Sequence, residues 1–393
     1  LYDVAVIGGG PIGSYVAGGL ADLGYGVMVL EQKEVLDGPV CCTGLIGSEF
    51  CSRFAVDAGV VLKRVNGASL FSPAGKTFRV WRPQAQAYVL DRAAFNLEMA
   101  KAAQRKGAEY MLSSRVEEMQ VTNDCAILGV TRQGERLNYQ ARVAVIASGF
   151  DSGLAEKLGL GKIDHFVLGA QAETEASGID EVEVYFGEAV APGFFAWLVP
   201  TSSTAARVGL LARQNPGLYL RKLTSCLAAQ GKIASDDIAP SFSGVPLKPL
   251  PRTYGDRVLV VGTAAGQVKP TTGGGLYYGL LCAGMATDSL KRALELNDLS
   301  KAGLADYQRQ WQSRLGREIK TGRRVRRLYE RLSDRQLERI FSAVSADGLV
   351  DAVLQDGLSF DWHSAGLWWL LKQEAIARAI GIMKIPFRSW SRD

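Results

Sequence analysis

The chain has 393 residues, enough for two or three structural units around a large core. With 47% apolar and 22% charged residues it has the composition of a globular protein, and no apolar run reaches the length of a membrane-spanning helix. Its six cysteines (41, 42, 51, 125, 226, 282) follow neither metal-ligand nor disulfide-framework spacing, and only two histidines, His165 and His363, are present. A reducing, cytoplasmic setting without a metal is therefore expected, and a His-based metal site or Ser-His-Asp hydrolase is not. The sequence opens on a core-type strand, which argues against a secretory leader.

Residues 3–7, Asp-Val-Ala-Val-Ile, form a β-branched run of the buried parallel-strand type. Gly8-Gly-Gly10-Pro11-Ile12-Gly13 follows, then an Ala- and Leu-bearing helix to about Leu23, a second buried strand at 27–30, and Glu31. That order of strand, G-x-G-x-x-G turn, helix, strand and acid is a dinucleotide-binding fingerprint. Gly8 allows the tight turn and Gly10 lets a pyrophosphate approach the backbone. Gly13 lets the helix pack closely on the strand, the helix N-terminus faces the phosphates, and Glu31 accepts from a ribose.

A loop from Gln32 leads to Cys41-Cys42-Thr43-Gly44-Leu45, with a helix expected from there to about Val56. Short β runs with turns at Asn66-Gly67 and 73–75 fill residues 60–90. Asp91 caps a helix expected over 92–106 and stopped by Gly107. A strand at 109–112, a β-meander over 116–140 and a third buried strand at 141–146 come next. Residues 165–211 are again β-rich, and a helix is expected over 218–229. A fourth buried strand at 257–261 runs into Gly262-Thr263-Ala-Ala-Gly266, then Lys269-Pro270-Thr-Thr-Gly273-Gly274-Gly275 and a long helix to about Leu296. Residues 300–380 read as mostly helical.

The stretch 262–275 is a second glycine element between strand and helix, able to aim backbone N–H groups and a helix dipole at another part of a cofactor. Nicotinamide enzymes need only the first element, so two argue for FAD. The nucleotide-type strands are interrupted by β-rich segments that return to the same region. The expected fold is α/β: a Rossmann-like FAD-binding domain (1–62, 91–163, 253–296) interleaved with an antiparallel-sheet substrate domain (63–90, 164–252), plus a helical C-terminal region (297–393).

Taken together, the Gly8–Gly13 turn, Tyr88-Val-Leu-Asp91-Arg92, 260–266 and 270–275 resemble the para-hydroxybenzoate-hydroxylase-type flavoproteins. Within that group Cys41-Cys-Thr-Gly-Leu45 is similar to the C-G-E-G-L or C-x-G-L segment of the geranylgeranyl reductase family, and Pro192-Gly-Phe-Phe-Ala-Trp-Leu-Val-Pro200 to its Y-x-W-x-F-P substrate motif. The resemblance spans roughly 1–300. It implies a cofactor shell of Gly8, Gly10, Pro11, Ile12, Gly13, Glu31, Gln32, Lys33, Gly44, Arg92, Val116, Gly262, Thr263, Gly273, Gly274, Gly275 and Leu276. It also implies a substrate wall including Phe195, Trp197, Pro200 and Pro270. Several positions depart from the pattern: Phe195 stands for the usual Tyr, Val199 for Phe and Thr263 for Asp. Ser148 replaces the Asp of the hydroxylases' A-D-G-x-x-S element, here 147–152, which counts against an NAD(P)H-using hydroxylase.

The implied reaction adds hydrogen across double bonds of an isoprenoid chain, with the hydride equivalent drawn from reduced FAD. An unactivated alkene offers no carbonyl to polarise, so the protein must position it and supply a proton. Cys41 or Cys42 is the candidate donor, Cys41 matching one register and Cys42 the other, while a merely packed thiol is the alternative. Phe195 and Trp197, two apart on a strand, share a face that either lines an apolar channel or packs in a core. Tyr277 and Tyr278 are further candidates for that channel on the same terms. Arg92, a cation at a helix N-terminus, needs a partner: cofactor phosphate or flavin edge by the resemblance, otherwise Asp91 or Glu98.

Arg314, Arg317, Lys320, Arg323, Arg324, Arg326, Arg327 and Arg331 form a dense basic run, read as a solvated face, as contacts to the protein's own acidic surface, or as a contact for anionic lipid. Leu367-Trp-Trp-Leu-Leu371 and a basic tail at 384–392 suit a peripheral contact with the inner face of a membrane, the alternative being that the Trp pair packs on the body of the protein. No nucleic-acid motif accompanies the charge. No second dinucleotide fingerprint is present, so the electron donor is NAD(P)H or a ferredoxin-type carrier. A flavin monooxygenase acting on an apolar substrate and an electron-transfer flavoprotein are the rival readings.

Overall fold

The apolar runs of the sequence pair with one another across long stretches of chain. Tyr2–Ile7 pairs in parallel with Val27–Leu30 on one side and with the end of Glu135–Ile146 on the other. Glu109–Met111 and Val258–Val260 extend this row outward, also in parallel. Parallel strands covered on both faces must be apolar throughout, which is why these runs do not alternate. Ile7, Leu30, Ile146 and Val260 lie in one buried cluster. Glu135–Ile146 has a double role: its first half pairs antiparallel with Ala126–Arg132, which pairs with Ser114–Val121, and its second half enters the parallel row.

The computed structural model describes residues 1–150, 153–346 and 359–381. Two units are distinguished, each built from three segments. The first comprises Leu1–Val40, Asp91–Val167 and Gly244–Arg323, the second Cys41–Leu90, Leu168–Ser243 and Arg324–Asp393. In the first, the chain leaves Tyr2–Ile7 toward one neighbour and later returns on the other side. The C-terminal end of that strand is therefore a topological switch point, where ligands of such sheets bind. Helix Pro11–Ala21 packs there on Arg92–Arg105 and Leu276–Glu295 through small residues. A Cβ at Gly18 would stand 3.2 Å from the Ala103 Cα, and one at Gly19 2.8 Å from Thr287 Cγ2.

The second unit holds a seven-stranded sheet and a three-stranded one. One face of the larger sheet, with Ala196, Leu198, Val208 and Leu210, is covered by Leu220, Leu223 and Leu227 of helix Pro216–Ala229. The residues between them point the other way. Val182 and Val199 pack with Val65, Ala87 and Val89 of the smaller sheet, and Trp197 and Leu45 border that cluster.

The helix expected from Leu45 begins three residues later. Leu45–Gly47 is a strand paired antiparallel with Ala87–Val89, and the helix is only Ser48–Arg53. The strand is imposed by a partner distant in sequence, which local periodicity cannot register. The C-terminal region is helical at Lys301–Tyr329, Asp334–Ala346, Ser364–Lys372 and Glu374–Ile380. Ser152 and the basic tail at 384–392 lie outside the described residues.

Candidate functional site

The first glycine turn is held by its own side chains. Gly8, at φ +106°, ends the strand against Ala147, whose carbonyl oxygen would lie 2.6 Å from a Cβ there. A Cβ at Gly13 would overlap the Gly8 carbonyl oxygen, so only glycine closes this turn. The Gly9 peptide is gripped at both ends. Its N–H donates to Glu31 Oε2 at 2.7 Å, and its carbonyl accepts from the Ser14 hydroxyl at 3.1 Å. Ser14 Oγ in turn accepts from Tyr110 at 2.7 Å, and burial pushes the Tyr110 phenol up to about 12, so it remains a donor at neutral pH. Glu31 Oε1 accepts from the Lys33 N–H at 2.9 Å. Gln32 and Lys33 are exposed. Pro11 opens the helix, no side chain caps its N-terminus, and a Cβ at Gly10 would meet nothing within 4 Å.

Ile12 joins this turn to the second glycine element. Its Cγ2 would stand 3.1 Å from a Cβ at Gly262, and its Cδ1 2.6 Å from one at Gly279. Gly262 is braced in turn by a fully buried relay. Its N–H donates to Gln267 Oε1 at 2.8 Å, Gln267 Nε2 donates to the Tyr307 hydroxyl at 2.8 Å, and Tyr307 donates to the Val260 carbonyl at 3.1 Å. In the loop that follows, the Gly273 N–H donates to the Lys269 carbonyl at 2.9 Å and the Lys269 N–H to the Gly274 carbonyl at 3.0 Å. Gly275, which has no side chain to cap with, then opens helix Leu276–Glu295. Thr263 Oγ1 would stand 3.3 Å from a Cβ at Gly275, placing the hydroxyl beside that helix start. Pro270 is buried close to Gly322, and Tyr277 and Tyr278 are buried in the helix rather than open to a channel.

Arg92 pairs with neither expected carboxylate. Asp91 caps its helix by accepting from the Ala94 N–H at 3.0 Å, and Glu98 pairs with Lys101. The Arg92 side chain lies over Phe95, the residue is only 6% exposed, and Nε and Nη1 have no hydrogen-bond partner among the described residues. Asn96, one turn along on the same face, leaves a buried Oδ1 equally without a partner. Buried cations and amides are normally satisfied, so the Arg92 nitrogens fit an anionic group of a ligand and Asn96 Oδ1 a hydroxyl or N–H donor. Together with two uncapped helix starts and the open space at Gly10, the first unit fits a dinucleotide. Val116 packs its side chain into the sheet core, which leaves only its backbone for such a ligand.

In the second unit the Cys41 thiol donates to the Ser241 carbonyl at 3.5 Å, and burial raises its pKa above the ordinary value. Cys42 is half-buried and has no hydrogen-bond partner among the described residues. Gly44, at φ +73°, accepts from the Leu90 N–H at 3.0 Å. Arg207 fixes this loop: its Nη1 donates to the Thr43 and Leu90 carbonyls, each at 2.9 Å, while Nε donates to Glu173. Phe195 and Trp197 share a face of Phe195–Pro200, with ring centroids 6.2 Å apart. The Trp197 indole lies over Gly209 and borders the core between the two sheets, so ordinary packing accounts for much of its setting. Pro200 is buried at the strand's end.

The lycopene cyclase protein family matches this chain over residues 3–346. A digeranylgeranylglycerophospholipid reductase of Methanocaldococcus jannaschii is 31% identical, over 89% of this chain and 92% of its own. The chain belongs to the geranylgeranyl reductase family. Another digeranylgeranylglycerophospholipid reductase, of Methanopyrus kandleri, is 29% identical over 94% of this chain and 99% of its own. Among solved structures, a geranylgeranyl bacteriochlorophyll reductase-like protein of Thermoplasma acidophilum superposes with a TM-score of 0.85 at 22% identity, covering 97% of this chain and 99% of that one.

For this member of the geranylgeranyl reductase family, sequence reasoning missed the supporting residues: Ser14, Asn96, Tyr110, Arg207, Gln267 and Tyr307. Arg207 alone carried a signal, a single charge inside the otherwise apolar Ala205–Ala212. The others sit at unremarkable positions and become meaningful only through partners far away in sequence.

Proposed function

We propose that this chain is an FAD-dependent oxidoreductase that hydrogenates C=C bonds of geranylgeranyl chains carried on lipids or diphosphates. The observation that carries the reading is the joining of two braced glycine elements at Ile12, in a chain of the geranylgeranyl reductase family. A cofactor with two halves needs both elements. In this reading the first unit binds FAD and the second binds the substrate. Glu31 takes the ribose, the N-terminal helix and Arg92 take the phosphates, and Thr263 with residues 273–276 takes the flavin half. When bound, reduced FAD supplies a hydride equivalent from N5.

The chain's own part is to hold the alkene and deliver a proton to the second carbon. Each buried methylene of a polyprenyl chain contributes about 0.8 kcal/mol, so an apolar wall of the Phe195 and Trp197 type supplies binding without polar contacts. Cys41 suits the proton's source, because burial keeps it protonated and the Ser241 carbonyl orients its S–H. The electron donor is NAD(P)H or a ferredoxin-type carrier. A reducing, cytoplasmic setting agrees with six free cysteines.

Peripheral contact with the inner face of a membrane is part of the same proposal. Among the described residues no helix is long and apolar enough to cross a bilayer. Each of residues 367–371 is partly exposed, so Ser364–Lys372 leaves some apolar surface accessible.

The test is anaerobic. The flavin-loaded protein is reduced with dithionite, a geranylgeranyl compound is added, and flavin absorbance is followed with product mass. Reoxidation matched by hydrogen gained in the chain is the expected result. A flavin that stays reduced until oxygen enters would turn the reading toward a monooxygenase.

A further inference from the structure

The basic run at the end of helix Lys301–Tyr329 is not uniform. Arg314, Arg317, Lys320, Arg327 and Arg331 are exposed, as a solvated face requires, but the Arg326 side chain is only 5% exposed. Its guanidinium carbon lies 3.5 Å from the centre of the Phe194 ring. Nη2 donates to Glu330 Oε1 at 3.3 Å, and Nε is buried with no partner among the described residues. The Glu330 carboxylate is already engaged by Arg213, whose Nη2 donates to both oxygens at 2.8 and 3.0 Å. The nearby Asp334 carboxylate accepts from the Glu188 N–H at 3.0 Å.

Two guanidinium groups thus share one carboxylate, and one of them is almost entirely enclosed. Burial draws Arg326 down to about 10, with Arg213 adding to the effect, yet it remains charged at neutral pH. An enclosed cation that shares its carboxylate and leaves Nε unsatisfied is costly unless a further acceptor completes it, and the planar guanidinium matches phosphate oxygens better than any other side chain. The position is suggestive as well. Phe194 immediately precedes Phe195 and Trp197, and its carbonyl accepts from the Tyr329 hydroxyl at 2.6 Å, which ties the strand's start to the arginine-bearing turn. A brace between helix and sheet would need one arginine for Glu330, not two.

We propose that Arg326 and Arg213 form an anion site for the phosphate of an isoprenoid headgroup, at the start of the Phe195–Pro200 strand. The proposal rests on the isoprenoid reading above and adds the charge of the substrate. A diphosphate and a phospholipid phosphate share this chemistry.

The experiment compares kcat/KM of the holoenzyme for geranylgeranyl diphosphate, a digeranylgeranylglycerol phosphate and neutral geranylgeraniol. It uses the wild type, Arg213→Ala, Arg326→Gln and the exposed control Arg317→Ala. The wild type is expected to prefer one phosphorylated substrate over the alcohol, and which one identifies the headgroup. Arg213→Ala and Arg326→Gln are expected to lower that preference about 10- to 100-fold, the range for a charge-assisted hydrogen bond, and Arg317→Ala to leave it unchanged. Arg213 is 48% exposed, so its variant tests the site even if Arg326→Gln does not fold. Calorimetry with pyrophosphate on the flavin-loaded protein reads the site independently of turnover. If no isoprenoid is reduced, the functional reading fails, and weaker pyrophosphate binding by Arg213→Ala still upholds the anion site. Equal preference in wild type and both variants, with pyrophosphate binding unchanged, overturns it.

Discussion

In the first unit the Gly9 peptide is held at both ends and the Gly262 N–H is met by a buried amide, so recognition there is built from backbone fixed in place. In the second unit, which carries Phe195 and Trp197, several buried side-chain atoms have no hydrogen-bond partner among the described residues: the Trp197 indole N–H, Gln171 Oε1 and Arg326 Nε. A backbone cradle tolerates almost no change but needs few particular side chains beyond its glycines. A side-chain wall can be altered residue by residue, and so can carry specificity. The contrast predicts that substitutions in the first unit abolish or weaken cofactor binding, while those in the second redirect or slow the reaction.

The sharpest way to break that contrast is Gly13→Ala. Its methyl group would overlap the Gly8 carbonyl, and forced overpacking of about 3 kcal/mol would cost more than about 100-fold in flavin affinity, measured by fluorescence titration. Next comes Cys41→Ala, expected to slow reoxidation of the reduced protein by isoprenoid about 100-fold, the low end for a positioned proton donor, with flavin binding intact. Because burial holds the Cys41 proton beyond the ordinary thiol range of about 8.5, the wild-type rate should stay level through neutral pH and fall only on the alkaline side. That limb should vanish in Cys41→Ala and persist in Cys42→Ala. Unchanged rates in both variants would remove the thiols from the chemistry.

Arg92→Met should weaken flavin binding about 10- to 100-fold while leaving the apoprotein at least as stable in thermal melts, since Nε and Nη1 of the buried guanidinium have no partner among the described residues. A less stable apoprotein would mean that Arg92 serves the fold. The smallest effect is expected for Tyr110→Phe, which removes one hydrogen bond to Ser14. About 0.5–1.5 kcal/mol, or roughly 2- to 10-fold in flavin affinity, should be lost with turnover of the loaded enzyme preserved.

Much of the parallel sheet was legible because its strands are apolar on both faces and its turns need glycine for steric reasons. Gly8, Gly13 and the run before each of them carry that information locally. Leu45–Gly47 was not legible, since its strand conformation comes from Ala87–Val89. Neither was the difference between Arg326 and its neighbours on the helix. One arginine in a basic run looks like another until Phe194 covers it. Arg92 falls between these cases: its sequence position announced a missing partner, and only the burial of Nε and Nη1 excluded Asp91 and Glu98.

The pairing of Tyr2–Ile7 with Glu135–Ile146 also bears on how the protein is made. The first strand leaves the ribosome before Glu135–Ile146 has been translated and must await that downstream partner. At about 5–20 residues per second that delay is on the order of ten seconds. Throughout it an apolar, hydrogen-bond-hungry edge is open to other chains. Synthesis of this enzyme should therefore depend on chaperone capacity, and slowing translation upstream of residue 135 should lower soluble yield more than slowing it afterwards.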